Sequence, residues 1–120
     1  MPPDTRDAAG LWDMLRASEA VEAFTRDVPV DQFRTNRMLV RAVERELEIV
    51  GEAARRLSQQ IKAAHPDIAW RQIINLRNMI AHGYDEVDED RIWQLTQREV
   101  PDLIAQLRRL VPPGAAETSD

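Results

Sequence analysis

Leu39-Val40-Arg41-Ala42-Val43-Glu44-Arg45-Glu46-Leu47-Glu48-Ile49-Val50-Gly51-Glu52-Ala53-Ala54-Arg55-Arg56-Leu57-Ser58-Gln59-Gln60-Ile61 sets the architecture of this chain. Leu39, Val43, Leu47, Val50, Ala54, Leu57 and Ile61 recur at spacings of four and three, which holds them on one face of a single α-helix. Arg41, Glu44, Arg45, Glu48, Glu52 and Arg55 fill the other side. Like charges four apart, Glu48 with Glu52 and Arg41 with Arg45, weaken an isolated helix slightly, and Glu52 with Arg56 and Arg41 with Glu44 offset them. A narrower line of Ala42, Ile49 and Ala53 lies roughly 100° from the main stripe. A helix apolar on two sides needs two neighbours, and a second subunit is one candidate.

The same periodicity continues outward in both directions. Leu11, Met14, Leu15 and Val21 form an apolar stripe interrupted by Ser18, which ends near Asp27-Val28-Pro29. Pro29 to Thr35 reads as a connector or a single helical turn capped by Asp31. Downstream, His65-Pro66 stops the central helix, because proline disfavours helical geometry in the residue before it. Asp67 is expected to cap the next helix, which carries Ile68, Trp70, Ile73, Ile74, Leu76 and Ile80 and stops at Gly83. Acidic residues between Asp85 and Asp90 precede and open a last helix, where they complement its N-terminal dipole. Ile92, Leu95, Val100, Leu103, Leu107 and Leu110 are its stripe, and Pro101 is expected to kink or divide it. Strand signals are nearly absent. The expected fold is all-α, an up-and-down bundle of four to five helices over residues 1–111, followed by a disordered tail at 112–120.

A chain of 120 residues makes one domain, large enough to bury a helical core without staples. It has no cysteine, which excludes disulfides and thiolate metal sites. His65 shares no ligand spacing with His82, and the acidic run lacks the glycine and terminal glutamate of a calcium loop. No metal and no cofactor are expected. Met1-Pro2-Pro3-Asp4 shows no basic-then-apolar leader, and no apolar run reaches membrane-spanning length, so a soluble cytoplasmic protein is expected. The net charge of −5 excludes a broad cationic coat for duplex nucleic acid, so any RNA contact has to be local. Trp12, Trp70 and Trp93 are spaced as core or interface residues, not as a base-stacking platform.

One short segment concentrates the chemistry: Arg77-Asn78-Met79-Ile80-Ala81-His82-Gly83-Tyr84. Arginine can neutralise a phosphate bidentately, histidine can move a proton near neutral pH, and tyrosine offers a modifiable hydroxyl. Cutting RNA through its own 2′-hydroxyl needs a proton acceptor, a proton donor and cationic stabilisation of the phosphorane. Arg77 and His82 have that chemistry, although a spacing of five sets them roughly 140° apart on an ideal helix. They converge if the helix loosens near Gly83 or if the long arginine side chain reaches around. On spacing alone the plainer account is favoured: Arg77 pairs with Glu48 or Glu52, and His82 caps its helix. Glu52 is equally readable as an exposed charge or as the group that positions Arg77. Asn78 can bond a phosphate oxygen or orient the imidazole.

The R-N-x-x-x-H-x-Y pattern at the end of an apolar helix resembles the signature of HEPN domains, specifically the HepT toxins of HEPN–MNT toxin–antitoxin pairs. Three further segments share the likeness: Leu47 to Ser58, Pro66 to Ile73, and Val87-Asp88 through Ile92-Trp93. In order and spacing it covers roughly residues 6 to 111. The resemblance implies a metal-independent endoribonuclease with Arg77 and His82 catalytic, supported by Asn78 and Glu52. It also implies a homodimer whose cleft pools the motifs of two subunits. It further implies a partner, an MNT-type nucleotidyltransferase antitoxin that attaches AMP to Tyr84. The alternative is a non-catalytic helical adaptor that docks beside such a nucleotidyltransferase.

Overall fold

The computed structural model describes residues 4–82 and 89–111, and of residues 81 and 82 the backbone alone. Every regular element among them is helical: α1 (Thr5–Thr25), α2 (Val30–Thr35), α3 (Arg37–Arg56), α4 (Gln59–Ala64), α5 (Trp70–His82), α6 (Glu89–Gln94), a π-helical turn (Leu95–Glu99) and α7 (Val100–Leu110). The long rods pack in the order α5, α3, α1, α7 and alternate in direction, the up-and-down bundle that the periodicity implies.

Two apolar clusters fill the bundle lengthwise. Leu11, Met14, Val50, Ala54, Leu57, Ile61 and Leu107 meet at one end, and Val21, Phe33, Val43, Leu47, Ile92 and Leu95 at the other. Full burial of a Val, Leu, Ile, Met or Phe side chain contributes roughly 1.5–3 kcal/mol. α1 and α5 of the same chain both pack on α3. Of its narrower apolar line only Ala53 is buried; Ala42 and Ile49 are partly exposed.

The central stripe runs across two helices rather than one. Leu57 leaves helical geometry (φ −66°, ψ 152°), and Ser58 caps α4 by accepting from the Ile61 N–H at 3.2 Å. The break is fixed from the far end of the chain. Asp7, 4% exposed, accepts from the Ser58 N–H at 2.9 Å and from its hydroxyl at 2.6 Å. Leu57 and Ile61 keep their spacing through the break, which is why the run reads as unbroken.

The helix starts differ in detail from the expected caps. Asp31 lies inside the first turn of α2, paired with Arg34 at 2.9 Å, and Pro29 occupies the cap position. Asn36 caps α3 by accepting from the Leu39 N–H at 3.0 Å. α5 begins at Trp70, so Asp67 stands in the preceding turn and not at the cap. The turn is longer because the His65 carbonyl accepts from both the Ile68 N–H (3.2 Å) and the Trp70 indole N–H (2.9 Å). The last helical stretch is divided, as expected, into α6 and α7, with the π turn just ahead of Pro101. Pro101 sits in the first turn of α7, where a missing N–H costs least, and the π turn before it is closed by the Val100 N–H on the Leu95 carbonyl. Gly83, the expected stop of α5, and the tail at 112–120 lie outside the described residues.

Candidate functional site

Arg77 is placed by the crossing of α5 over α3, and the crossing is set by Gly51. A Cβ built on Gly51 would collide with the Arg77 Cβ and stand 3.0 Å from the Ile73 carbonyl oxygen. Glycine inside a helix costs roughly 0.5–1 kcal/mol relative to alanine. Here it lets the backbone of α5 lie directly on α3 and brings Arg77 beside the next residue, Glu52. The Arg77 Nε stands 3.2 Å from Glu52 Oε2, and both side chains are about 30% exposed, at 30% and 31%.

Three further contacts steady this pair. Arg77 Nη1 donates to Asn78 Oδ1 at 3.0 Å. On its other side Glu52 receives Arg55 Nη2 at 2.8 Å, with Arg56 Nε at 4.0 Å. The hydrogen bond from Arg55 is the chief influence holding the Glu52 carboxyl below its ordinary range. Partial burial opposes that shift, while the charges of Arg55, Arg77 and Arg56 reinforce it. Of the two expected carboxylate partners for Arg77, Glu52 is the one it meets; Glu48 faces Arg45 at 3.9 Å.

An open groove of about 220 Å³ runs along this crossing, lined by Arg45, Glu48, Ile49, Glu52, Arg56 and Arg77. Three arginines against two glutamates make it locally cationic in a chain whose net charge is −5. Arg77, Asn78 and Glu52 are thus brought together at its edge. The backbone of α5 stays helical through His82, so positions 77 and 82 remain roughly 140° apart in register. The His82 side chain and Tyr84 lie outside the described residues, as do positions 85–88 of the acidic run. Of that run, Glu89 and Asp90 open α6, and Asp90 binds Arg34 Nε at 2.7 Å.

Sequence reasoning passed over Gly51 and the groove arginines Arg45 and Arg56. The first had a visible signal, a lone glycine inside an otherwise strong helical pattern, which marks close backbone approach. The two arginines had none, since exposed charges on a helix are ordinary.

A family model described as "Ribonuclease HepT-like" matches residues 14–110. The chain is 34% identical over 95 residues to a protein of Methanocaldococcus jannaschii named "Putative RNase MJ1380", covering 79% of this chain and 87% of that one. It is 33% identical over 100 residues to a Thermococcus cleftensis protein named "Probable ribonuclease HepT", covering 83% and 91%. A Caldanaerobacter subterraneus protein named "Putative RNase TTE0752" is 28% identical over 101 residues, covering 84% and 90%. No solved structure gives a significant match.

Proposed function

We propose that this chain, which belongs to the HepT-like ribonuclease family, is a metal-independent endoribonuclease acting as the toxin of a toxin–antitoxin pair. The observation that carries the reading is Arg77, steadied by Glu52 and Asn78 at the edge of a locally cationic groove. Those two contacts engage two of its five N–H donors, which leaves others to address a phosphate.

In this reading the RNA 2′-hydroxyl attacks the adjacent phosphorus and gives its proton to a base. The 5′-oxygen leaves with a proton from an acid, and a 2′,3′-cyclic phosphate remains. His82 carries the proton transfers, and Arg77 stabilises the charge that builds on the phosphorane oxygens. One histidine per chain is thin for both an acid and a base step. A homodimer whose cleft receives Arg77 and His82 from each copy supplies both.

Control falls to Tyr84, the chain's one tyrosine. AMP transferred to it by a cognate nucleotidyltransferase adds an anion two residues from His82, where it competes with substrate phosphate for Arg77. The Glu52–Arg77 ion pair is also what a purely structural arginine would make, and this favours the second reading, a non-catalytic adaptor for the same nucleotidyltransferase.

Cleavage by purified protein separates the two. His82→Ala and Arg77→Ala should each abolish RNA cutting while helicity is kept, and EDTA should leave the wild-type rate unchanged. Undiminished cutting by His82→Ala overturns the nuclease reading. Light scattering should give a mass near twice 13.8 kDa. Incubation with ATP, Mg²⁺ and the nucleotidyltransferase should add AMP mass to wild type and not to Tyr84→Phe.

A further inference from the structure

The groove at the α3–α5 crossing is longer than the reaction proposed above requires. Arg45 and Arg56 mark its extremes along α3, three helical turns or about 16 Å apart. No single phosphate bridges that distance, but a chain of phosphates can. Both arginines are also loosely held. Arg45 stands 3.9 Å from Glu48 and is 71% exposed, and Arg56 stands 4.0 Å from Glu52 and is 65% exposed. Ion pairs this long and this exposed contribute little, so a phosphate displaces them at small cost. Arg77, by contrast, is half-sheltered and fixed at 3.2 Å on Glu52, with Arg55 supplying the shorter 2.8 Å contact to the same carboxylate.

We infer that this groove is a track for the backbone of single-stranded RNA, in which Arg45 and Arg56 take phosphates on either side of the one held at Arg77. The inference rests on the nuclease reading for the identity of the strand. A single strand fits better than a duplex, since the net charge of −5 argues against a broad cationic face and Arg45 and Arg56 lie in one line along α3. Ile49 supplies an apolar floor between the charged rims. Glu48 opposes the strand and keeps Arg45 partly occupied, so it sets an upper bound on affinity.

The test uses a short fluorescein-labelled single-stranded DNA, which lacks the attacking 2′-hydroxyl and so reports binding without cutting. Anisotropy titrations across a salt series give the slope of log K against log[salt]. Each of Arg45→Ala and Arg56→Ala should shallow that slope by about 0.7 and weaken binding roughly tenfold at low salt. Arg45→Lys and Arg56→Lys should restore most of the slope, and Glu48→Gln should tighten binding. Arg109→Ala, an exposed arginine on α7 away from the groove, should leave the slope alone. Equal slopes for wild type and both groove variants, or no binding by wild type, overturn the track. If the slopes change as expected but the matching RNA is never cut, the track stands and the nuclease reading falls.

Discussion

The two faces of α3 follow opposite rules. Facing the bundle, Val43, Leu47, Val50 and Ala54 are at most 2% exposed, and each is interchangeable with another apolar residue of similar volume. Facing the groove, Arg45 and Arg56 are 71% and 65% exposed and make only long ion pairs. Where α5 crosses, the buried Gly51 is replaceable by nothing at all without moving that helix. The inner face is redundant and announces itself by periodicity. The outer face depends on individual side chains, and the position of Arg77 beside it depends on an atom that is absent from the buried crossing.

The largest expected difference is in stability. Leu47→Ala empties space in the buried face and should cost about 2–5 kcal/mol. Arg45→Ala, two residues earlier on the outer face, should stay within about 0.5 kcal/mol of wild type. Urea titration of both variants decides whether the faces are separable. Equal losses would mean that the groove charges contribute to the fold and that the contrast is false.

Gly51→Ala sharpens the contrast because it strikes both faces' business at one point. The added methyl meets the Arg77 Cβ and the Ile73 carbonyl, and backbone does not yield as a side-chain tip would. α5 must lift from α3, at a cost of roughly 1–3 kcal/mol for an overpacked contact. Displacing Arg77 by about an ångström should lower cleavage by roughly 10²-fold, well beyond what the loss of stability predicts at a temperature where the variant is folded. Full activity in a folded Gly51→Ala protein would show that the crossing does not set the position of Arg77.

What could be read from the residues divides along the same line. The apolar stripes gave the helices, their order and most of the core, since burial repeats every three or four residues whatever the partner is. The break at Leu57–Ser58 escaped because its cause, Asp7, is 51 residues away and leaves no mark on local periodicity. Residue type suggests Asp67 as the cap of α5, whereas the bonds made by the His65 carbonyl lengthen the turn and start the helix at Trp70. Within the site, the pairing of Arg77 with Glu52 was one of two alternatives that spacing left open. Distance along α3 could not choose between Glu48 and Glu52, because the choice is made by where α5 crosses, and that is fixed at Gly51.

A smaller effect tests whether Glu52 is a working part of the outer face. Its carboxyl is held below the ordinary value of 4.5, chiefly by the hydrogen bond from Arg55. A group with a depressed folded-state pKa contributes stability above its unfolded value and loses it as pH falls through the folded one. The contribution of Glu52 is therefore complete at neutral pH and fades once the pH drops below 4.5. The stability difference between wild type and Glu52→Gln should be constant through neutrality and narrow under acid. A difference that instead widened under acid would show that the arginines do not hold this carboxylate in its charged form.

The smallest effect belongs to the buried side and marks where its redundancy has a flaw. Ser18 is fully buried in α1, and among the described residues its Oγ is the one buried side-chain nitrogen or oxygen without a hydrogen-bond partner. A hydroxyl removed from water with nothing to bond to is unfavourable, and serine is also a weaker helix former than alanine by roughly 0.5 kcal/mol. Against this stands the loss of one oxygen's worth of packing. Ser18→Ala should therefore be neutral or stabilising by up to about 1 kcal/mol, with an unchanged denaturant slope. A loss larger than about 1 kcal/mol would mean that the hydroxyl is bonded in solution, and that this helix face carries a specific polar contact of the kind otherwise found at the groove.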